Sequence, residues 1–208
     1  MSKGPISVPE SSIPESSMHE TWSEHDLFAA GWKQADLDWE VHAAAQCEAL
    51  ARGDETQAKA RAGRCLFVAR EDFAADDPRL ATSLANFARC LAGEGDPAAD
   101  ALWHEARQRW PRSQSWIASM AAPRVARSSL FHMRMEQRHR ATYEERWRIK
   151  WHELAQAAKS RLESCDLARP IAREAAAGAL ERWRRERPAM LNDTRKLLAA
   201  VLLLLPGS

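Results

Sequence analysis

The sequence predicts an all-α fold, in which an array of antiparallel helix pairs is followed by a long helix and a C-terminal helical bundle. No stretch alternates apolar and polar residues for long enough to indicate a β-strand, and β-branched residues are scarce. Apolar residues instead recur at helical spacing, so that Leu84, Phe87, Ala88 and Leu91 share one helical face. A chain of 208 residues can bury one core or form one elongated helical array.

The N-terminal part divides into a tail and a short helix. Residues 1–20 are rich in Ser, Pro and Glu and contain the sequence PESS twice. This composition predicts a disordered tail, because it cannot bury enough apolar surface to order itself. Ser23 is the predicted N-cap of the first helix, with Asp26 at the third helical position. We expect this helix to cap the first helix pair.

Two helix pairs are predicted between residues 39 and 111. In the first pair, Gly53-Asp54 forms the turn after a helix over 39–52. In the second pair, a turn at 94–97 separates helices over 80–93 and 97–110, and Pro97 is suited to the start of a helix. The residues expected to be largely buried in this second pair are Leu84, Phe87, Leu91 and Trp103.

The second pair also carries a recognisable order of small and large residues. It begins with Asp76-Asp77-Pro78-Arg79-Leu80-Ala81 and continues with Leu84-Ala85-Asn86-Phe87-Ala88. This order resembles the tetratricopeptide repeat (TPR), and most closely the kinesin-light-chain type of that repeat. The resemblance covers residues 39–111 only. Because repeat arrays usually need three units or dedicated caps, we expect the rest of the chain to supply caps.

The resemblance implies a concave groove that is lined by the first helix of each pair and binds a protein segment. It places Asn86 on this groove, where an amide can exchange hydrogen bonds with the backbone of an extended peptide. It also places Arg89 there, where a guanidinium can pair with a carboxylate. Thr82 and Ala85 share the same surface. The expected function is therefore a non-enzymatic protein-interaction module, an adaptor or assembly factor with a protein partner.

A long helix is predicted over residues 128–163. Its second half has an apolar stripe at spacings of three and four, which indicates a face packed on the protein. The stripe consists of Tyr143, Trp147, Trp151, Leu154, Ala158 and Leu162. Residues 128–150 of the same helix carry a possible basic surface, which consists of Arg134, Arg138, Arg140, Arg146, Arg148 and Lys150. This surface gives an alternative function, nucleic-acid binding or regulation. Nucleic acid is the less favoured partner, because the interleaved tryptophans lie on the apolar stripe.

Two further helices, over 169–187 and 189–205, are predicted on either side of Pro188. The last one contains Leu197–Leu205, a run that is apolar on every side and must therefore be covered. The run is too short to span a membrane. Either the chain's own core or a second molecule could cover it, and we favour a homodimer or partner contact through the C-terminal helices.

These elements divide the chain into a tail (1–20), a helical repeat region with its capping helix (21–122) and a C-terminal part (123–208). The sequence contains no phosphate-binding loop and no recognisable catalytic motif. Glu136-x-x-His139 occurs once, whereas di-iron bundles need two such motifs and two further glutamates. We therefore expect no enzymatic activity, no metal and no cofactor.

The composition favours a cytoplasmic location. None of the four cysteines forms a CxxC pair, which indicates a reducing compartment, and the N-terminus lacks an apolar signal sequence. The abundance of Ala and Arg is typical of a bacterial protein. The formal net charge of +1 conceals an asymmetry, since acids dominate residues 1–60 and bases dominate residues 105–150.

Overall fold

The computed structural model describes residues 22–122, 139–167 and 169–204. In these ranges the chain folds into helices joined by short turns, and no β-strand is present. The all-α prediction is therefore confirmed. The predicted tail, residues 1–20, lies outside the described residues, as does the predicted first part of the long helix up to residue 138.

The helices are α1 (Glu24–Ala29), α2 (Gln34–Arg52), α3 (Glu55–Asp72), α4 (Pro78–Gly93), α5 (Ala98–Arg109), α6 (Ser113–Ala118), α7 (Arg140–Ser164), α8 (Arg173–Glu186) and α9 (Asp193–Leu203). A 3₁₀ turn over Trp110–Arg112 joins α5 to α6, and another over Arg187–Ala189 follows α8.

Local side-chain chemistry explains where several helices begin and end. The hydroxyl and amide of Ser23 form a reciprocal capping box with Asp26 at the start of α1, as predicted. Gly53 has a φ of 75°, a left-handed conformation that ends α2 and favours glycine. The Asp54 carboxylate then accepts a hydrogen bond from the backbone of α3, and Pro78 opens α4 at a position where it costs no helical hydrogen bond.

The predicted helix pairs are present and antiparallel. Cys65 Sγ lies 3.9 Å from the carbonyl oxygen of Trp39, and Arg61 contacts His42, so residue numbers run in opposite directions along α2 and α3. Helix α3 packs in turn on α4, and α4 packs on α5. Helix α2 begins at residue 34, earlier than predicted. Lys33 is its N-cap, and the backbone amide of Lys33 donates a 2.7 Å hydrogen bond to the Asp36 carboxylate, which stabilises this earlier start.

The core of the second pair follows the predicted stripe except at one position. Leu84, Leu91 and Trp103 are buried, as expected. Phe87 is only partly buried, so the prediction that it would be largely buried is wrong. Its ring lies over Gly63 of α3, at van der Waals distance from where a Cβ on that glycine would stand. The ring therefore covers the junction of α3 and α4 instead of entering the core.

The long helix docks mainly through the part that begins at Trp151. Trp151, Ala158 and Leu162 are buried, whereas Tyr143 and Trp147 nearer its start are partly exposed. Helix α8 begins at residue 173, later than the predicted 169, and the chain is not helical on either side of Pro170. A proline disfavours helical geometry in the residue before it, so Arg169 is not expected to be helical.

Helix α9 is enclosed by the rest of the chain. It packs on α2, α4, α7 and α8, and its residues from Leu197 to Leu203 are all buried. A single cluster of buried side chains extends from Trp39 to Leu204, so residues on both sides of the predicted boundary at 122 contribute to one core. The apolar run at the C-terminus is thus covered as far as Leu204 without a second molecule, and the argument that favoured a homodimer loses its basis.

Candidate functional site

The predicted groove residues lie on the face of α4 that is turned toward α9. Thr82 and Ala85 are fully buried, and Asn86 is 4% exposed. The resemblance implied that these side chains face an open surface formed by the first helices of the two pairs, α2 and α4. The structure brings them together as predicted, but the C-terminal helix of the same chain fills the surface. We call the face of α2 and α4 that contacts α9 the α2/α4 groove.

The groove holds α9 partly through hydrogen bonds to its main-chain carbonyls. Asn86 Nδ2 donates to the carbonyl oxygen of Leu203 at 3.1 Å. The Thr82 hydroxyl lies 3.0 Å from the carbonyl oxygen of Ala200 and 3.1 Å from that of Pro78 in its own helix, so the two acceptors share its proton. These contacts are made with the backbone of the chain's own helix, whereas the resemblance implied that Asn86 would contact the backbone of an extended peptide.

A third donor comes from α7, outside the predicted set. Arg161 Nη1 donates to the carbonyl oxygen of Val201 at 3.3 Å. The last four carbonyls of any helix have no partner within it, and burial without a partner is costly. Helix α9 ends at Leu204 in an extended conformation (φ −74°, ψ 109°) and lacks a left-handed glycine cap. Side chains of α4 and α7 therefore replace the missing cap.

Arg89 has a different role from the one expected. Its Nη2 donates a 2.7 Å hydrogen bond to the carbonyl oxygen of Arg169, in the segment that leads into α8. Burial lowers the pKa of this guanidinium, with smaller opposing contributions from nearby groups. Arg89 thus fastens the C-terminal helices to α4 through a backbone acceptor and is partly shielded from solvent. The acceptor described for Arg89 is thus a backbone carbonyl of its own chain, whereas the resemblance implied pairing with a carboxylate.

The opposite end of the groove is charged, a feature that the sequence did not predict. Arg195, near the start of α9, forms two hydrogen bonds with Glu40 of α2, at 2.9 Å from Nε and 2.6 Å from Nη2. Arg187 Nη1 lies 3.7 Å from the same carboxylate, and Lys196 Nζ lies 3.5 Å from Asp36. Both carboxylates are buried. The acids of α2 thus match the bases of α9, although 155 residues separate Glu40 from Arg195.

Asp36 also belongs to a second buried ion pair. Arg79 lies at the start of α4, and its Nη1 is 2.7 Å from Asp36 Oδ1. Its Nε and Nη2 donate two hydrogen bonds to the Asp77 carboxylate. Its guanidinium stacks on the ring of Phe73, 3.6 Å from the centroid. Burial raises the pKa of Asp36, but the charge of Arg79 and the amide hydrogen bond described above outweigh it, so the pKa is lowered overall. The carboxylate therefore stays ionised and holds α2 to α4.

The possible basic surface is only partly basic in the structure. Arg134 and Arg138 lie outside the described residues. Arg140 and Arg148 pair with Glu144 and Glu145 of the same helix, at 2.9 and 3.1 Å. The remaining members are the exposed residues Arg146 and Lys150, and Lys150 Nζ lies 4.7 Å from the ring centroid of Trp147. The described part of this surface is thus a mixture of both charges.

No group of three or more His, Cys, Asp or Glu side chains in the described ranges is arranged to hold a metal ion. None of the helices described has the length and apolar character needed to cross a membrane.

Comparisons with known proteins do not extend this description. No protein-family model matches the chain, and neither a curated protein nor a solved structure is detectably similar to it. The resemblance of residues 39–111 to the TPR therefore stays a prediction.

Proposed function

We propose that this protein is a non-enzymatic interaction module, a TPR-like adaptor or assembly factor, and that the α2/α4 groove is its binding surface for a protein segment. The observation that carries the proposal is the set of side chains aimed at main-chain carbonyls, above all Asn86 on Leu203. Hydrogen bonds to the backbone recognise a polypeptide as such, whatever its side chains. A groove of this kind is suited to holding a segment of protein.

The packing around the groove supports the same proposal. Helices α2 and α4 meet α9 over an apolar surface, and ion pairs at one end set the position of the bound helix. An apolar centre with a few polar contacts that fix orientation is typical of surfaces that take an amphipathic helix. The bound segment seen in this structure is the chain's own.

The alternative function, nucleic-acid binding through α7, is less well supported. Its observation is the exposed pair Arg146 and Lys150, beside the partly exposed ring of Trp147. Such a combination can meet phosphates and stack on bases. Since Arg140 and Arg148 are paired within the helix, the unpaired positive charge along the described part of this face is small.

A comparison of two variants separates these functions. The tagged chain is incubated with nuclease-treated native extract, and the bound material is analysed by mass spectrometry. Asn86→Leu removes a groove donor, whereas Arg146→Glu with Lys150→Glu reverses the exposed charges of α7. We expect a bound protein that the first variant loses and the second keeps, and that binds again when purified.

The opposite pattern would contradict the proposal. If the chain retains nucleic acid without nuclease treatment, loses it with the α7 variant and releases it steeply as salt rises, the alternative is correct. Both variants need native helix content by circular dichroism before they are compared, because Asn86 is a buried hydrogen-bonding residue.

A further inference from the structure

We infer that the α2/α4 groove is a receptor for the C-terminal end of a helix, and that a matching helix from another polypeptide can take the place of α9. The inference rests on the proposed function and adds the chemistry of the partner. It comes from the way in which α4 and α7 complete the end of α9.

The end of the helix is recognised through atoms that any helix provides. Thr82, Asn86 and Arg161 each meet a carbonyl oxygen of the last turn, at Ala200, Leu203 and Val201. Every α-helix presents four such carbonyls at its C-terminus. A helix that ends in a left-handed glycine satisfies one or two of these carbonyls with its own amides. The groove therefore fits a helix that lacks a glycine cap, as α9 does.

The rest of the contact defines which helix fits. Arg195 and Lys196 lie opposite the buried carboxylates of Glu40 and Asp36, so the partner must carry bases at the matching place. From there to the carbonyl bound by Asn86, near the end of α9, the chain advances by about two turns. Over that distance α9 is apolar and buried. The partner is thus a helix with one or two bases followed by two apolar turns and an uncapped end.

The covalent connection between α9 and the rest of the chain determines how strongly α9 competes with such a helix. A partner with the same chemistry restores every contact that α9 makes, so the contacts themselves do not favour either one. A segment joined by a short connection has an effective concentration on the order of millimolar. A partner present at micromolar concentration must therefore bind roughly a thousandfold more tightly than free α9 would, or α9 must be loosened.

A charge reversal in α9 tests the inference on the full-length chain. Arg195→Glu places a carboxylate against Glu40 and loosens α9, while α2, α4 and α7 stay unchanged. We expect a fluorescent peptide of residues 190–204 to bind this variant at least about tenfold more tightly than it binds the wild-type chain. The same peptide carrying Arg195→Glu is the matched control and should not bind. Adding Asn86→Leu to the variant chain should weaken binding of the wild-type peptide about tenfold.

Thermal unfolding keeps the test decisive if the loosened variant folds poorly. A ligand that binds only the folded chain raises its melting temperature as its concentration rises. The wild-type peptide should raise the melting temperature of the Arg195→Glu chain, and the control peptide should not. No binding and no stabilisation up to millimolar peptide would overturn the inference, and so would equal effects of the two peptides or no effect of Asn86→Leu.

The outcome is distinguishable from the fate of the proposed function. If the chain takes up the peptide but retains no groove-dependent protein from extract, the receptor stands and the proposed function fails. If extract yields a groove-dependent partner but the peptide does not bind, the proposed function stands and the preference for a helix end is wrong.

Discussion

Removing one partner of the buried Glu40–Arg195 pair should cost far more stability than removing both. Arg195→Met leaves Glu40, which is 3% exposed, without its two hydrogen bonds. Breaking a buried ion pair in this way costs about 3–5 kcal/mol, because an uncompensated charge stays in the interior. Arg187 lies 3.7 Å from the same carboxylate and offsets part of that cost. We therefore expect a loss near the lower limit, about 3 kcal/mol.

The matched variants complete a double-mutant cycle. Glu40→Met alone should also destabilise by about 3 kcal/mol, since it leaves Arg195 unpaired. Glu40→Met with Arg195→Met should lie within about 1 kcal/mol of the wild type, because well-packed apolar side chains often replace a buried pair without loss. The expected coupling energy is thus at least about 5 kcal/mol in magnitude.

Urea unfolding followed by tryptophan fluorescence measures all four proteins. Trp39 and Trp183 are among the largest fully buried side chains, so unfolding will change their emission. The midpoint and slope of each transition give the free energy of unfolding. Single-variant losses that add to the loss of the double variant, with a coupling below about 1 kcal/mol, would refute the reasoning. That result would mean that the pair is solvated or that α9 is not docked on α2.

Three further predictions test other parts of the structure. The folded pKa of Asp36 is below the unfolded value, so its stabilising contribution is present above about pH 3.8 and lost as the pH falls through the lower folded pKa. Asp36→Asn should therefore lower the free energy of unfolding at pH 7, and the difference between variant and wild type should shrink in acid. Gly53→Ala forces a left-handed φ of 75° on alanine, and its Cβ meets the guanidinium of Arg173, so it should lower the free energy of unfolding in urea by about 1–2 kcal/mol. Gly178→Ala in α8 has nothing within 4 Å of the added Cβ and should raise that free energy by about 0.5–1 kcal/mol. Equal effects of the two substitutions would exclude the backbone argument. Burial raises the pKa of the Cys47 thiol to about 12, so a thiol reagent at pH 8 should label it only after unfolding, as mass spectrometry of the labelled peptides will show.

Turns and caps were predictable because each depends on a few neighbouring residues. Ser23 and Asp26 are three residues apart and form the capping box wherever the chain places them. Gly53-Asp54 likewise supplies both a left-handed residue and an N-cap. Interactions of this range depend only on residues that are close together in the sequence, so the predicted breaks between helices agree with the structure.

The groove was predictable in its position but not in its occupant. The resemblance placed Thr82, Ala85, Asn86 and Arg89 on one face, and helical spacing groups these residues once α4 is a helix. Arg89, however, donates its hydrogen bond to the segment before α8. Helical spacing shows which side chains share a face and not what that face meets. The apolar run of α9 was equally visible, yet the sequence left open whether its own core or a second molecule would cover it.

The sequence by itself determined the helices, their turns and the faces that had to be buried, because hydrogen bonds and dihedral preferences within a few residues set those features. The tertiary structure alone decided that α9 lies in the α2/α4 groove and that Glu40 meets Arg195. Residues 155 positions apart influence no common backbone angle, so no local pattern records their contact. Only folding of the whole chain brings α9 over α4, where Thr82 and Asn86 donate hydrogen bonds to carbonyl oxygens at the end of α9.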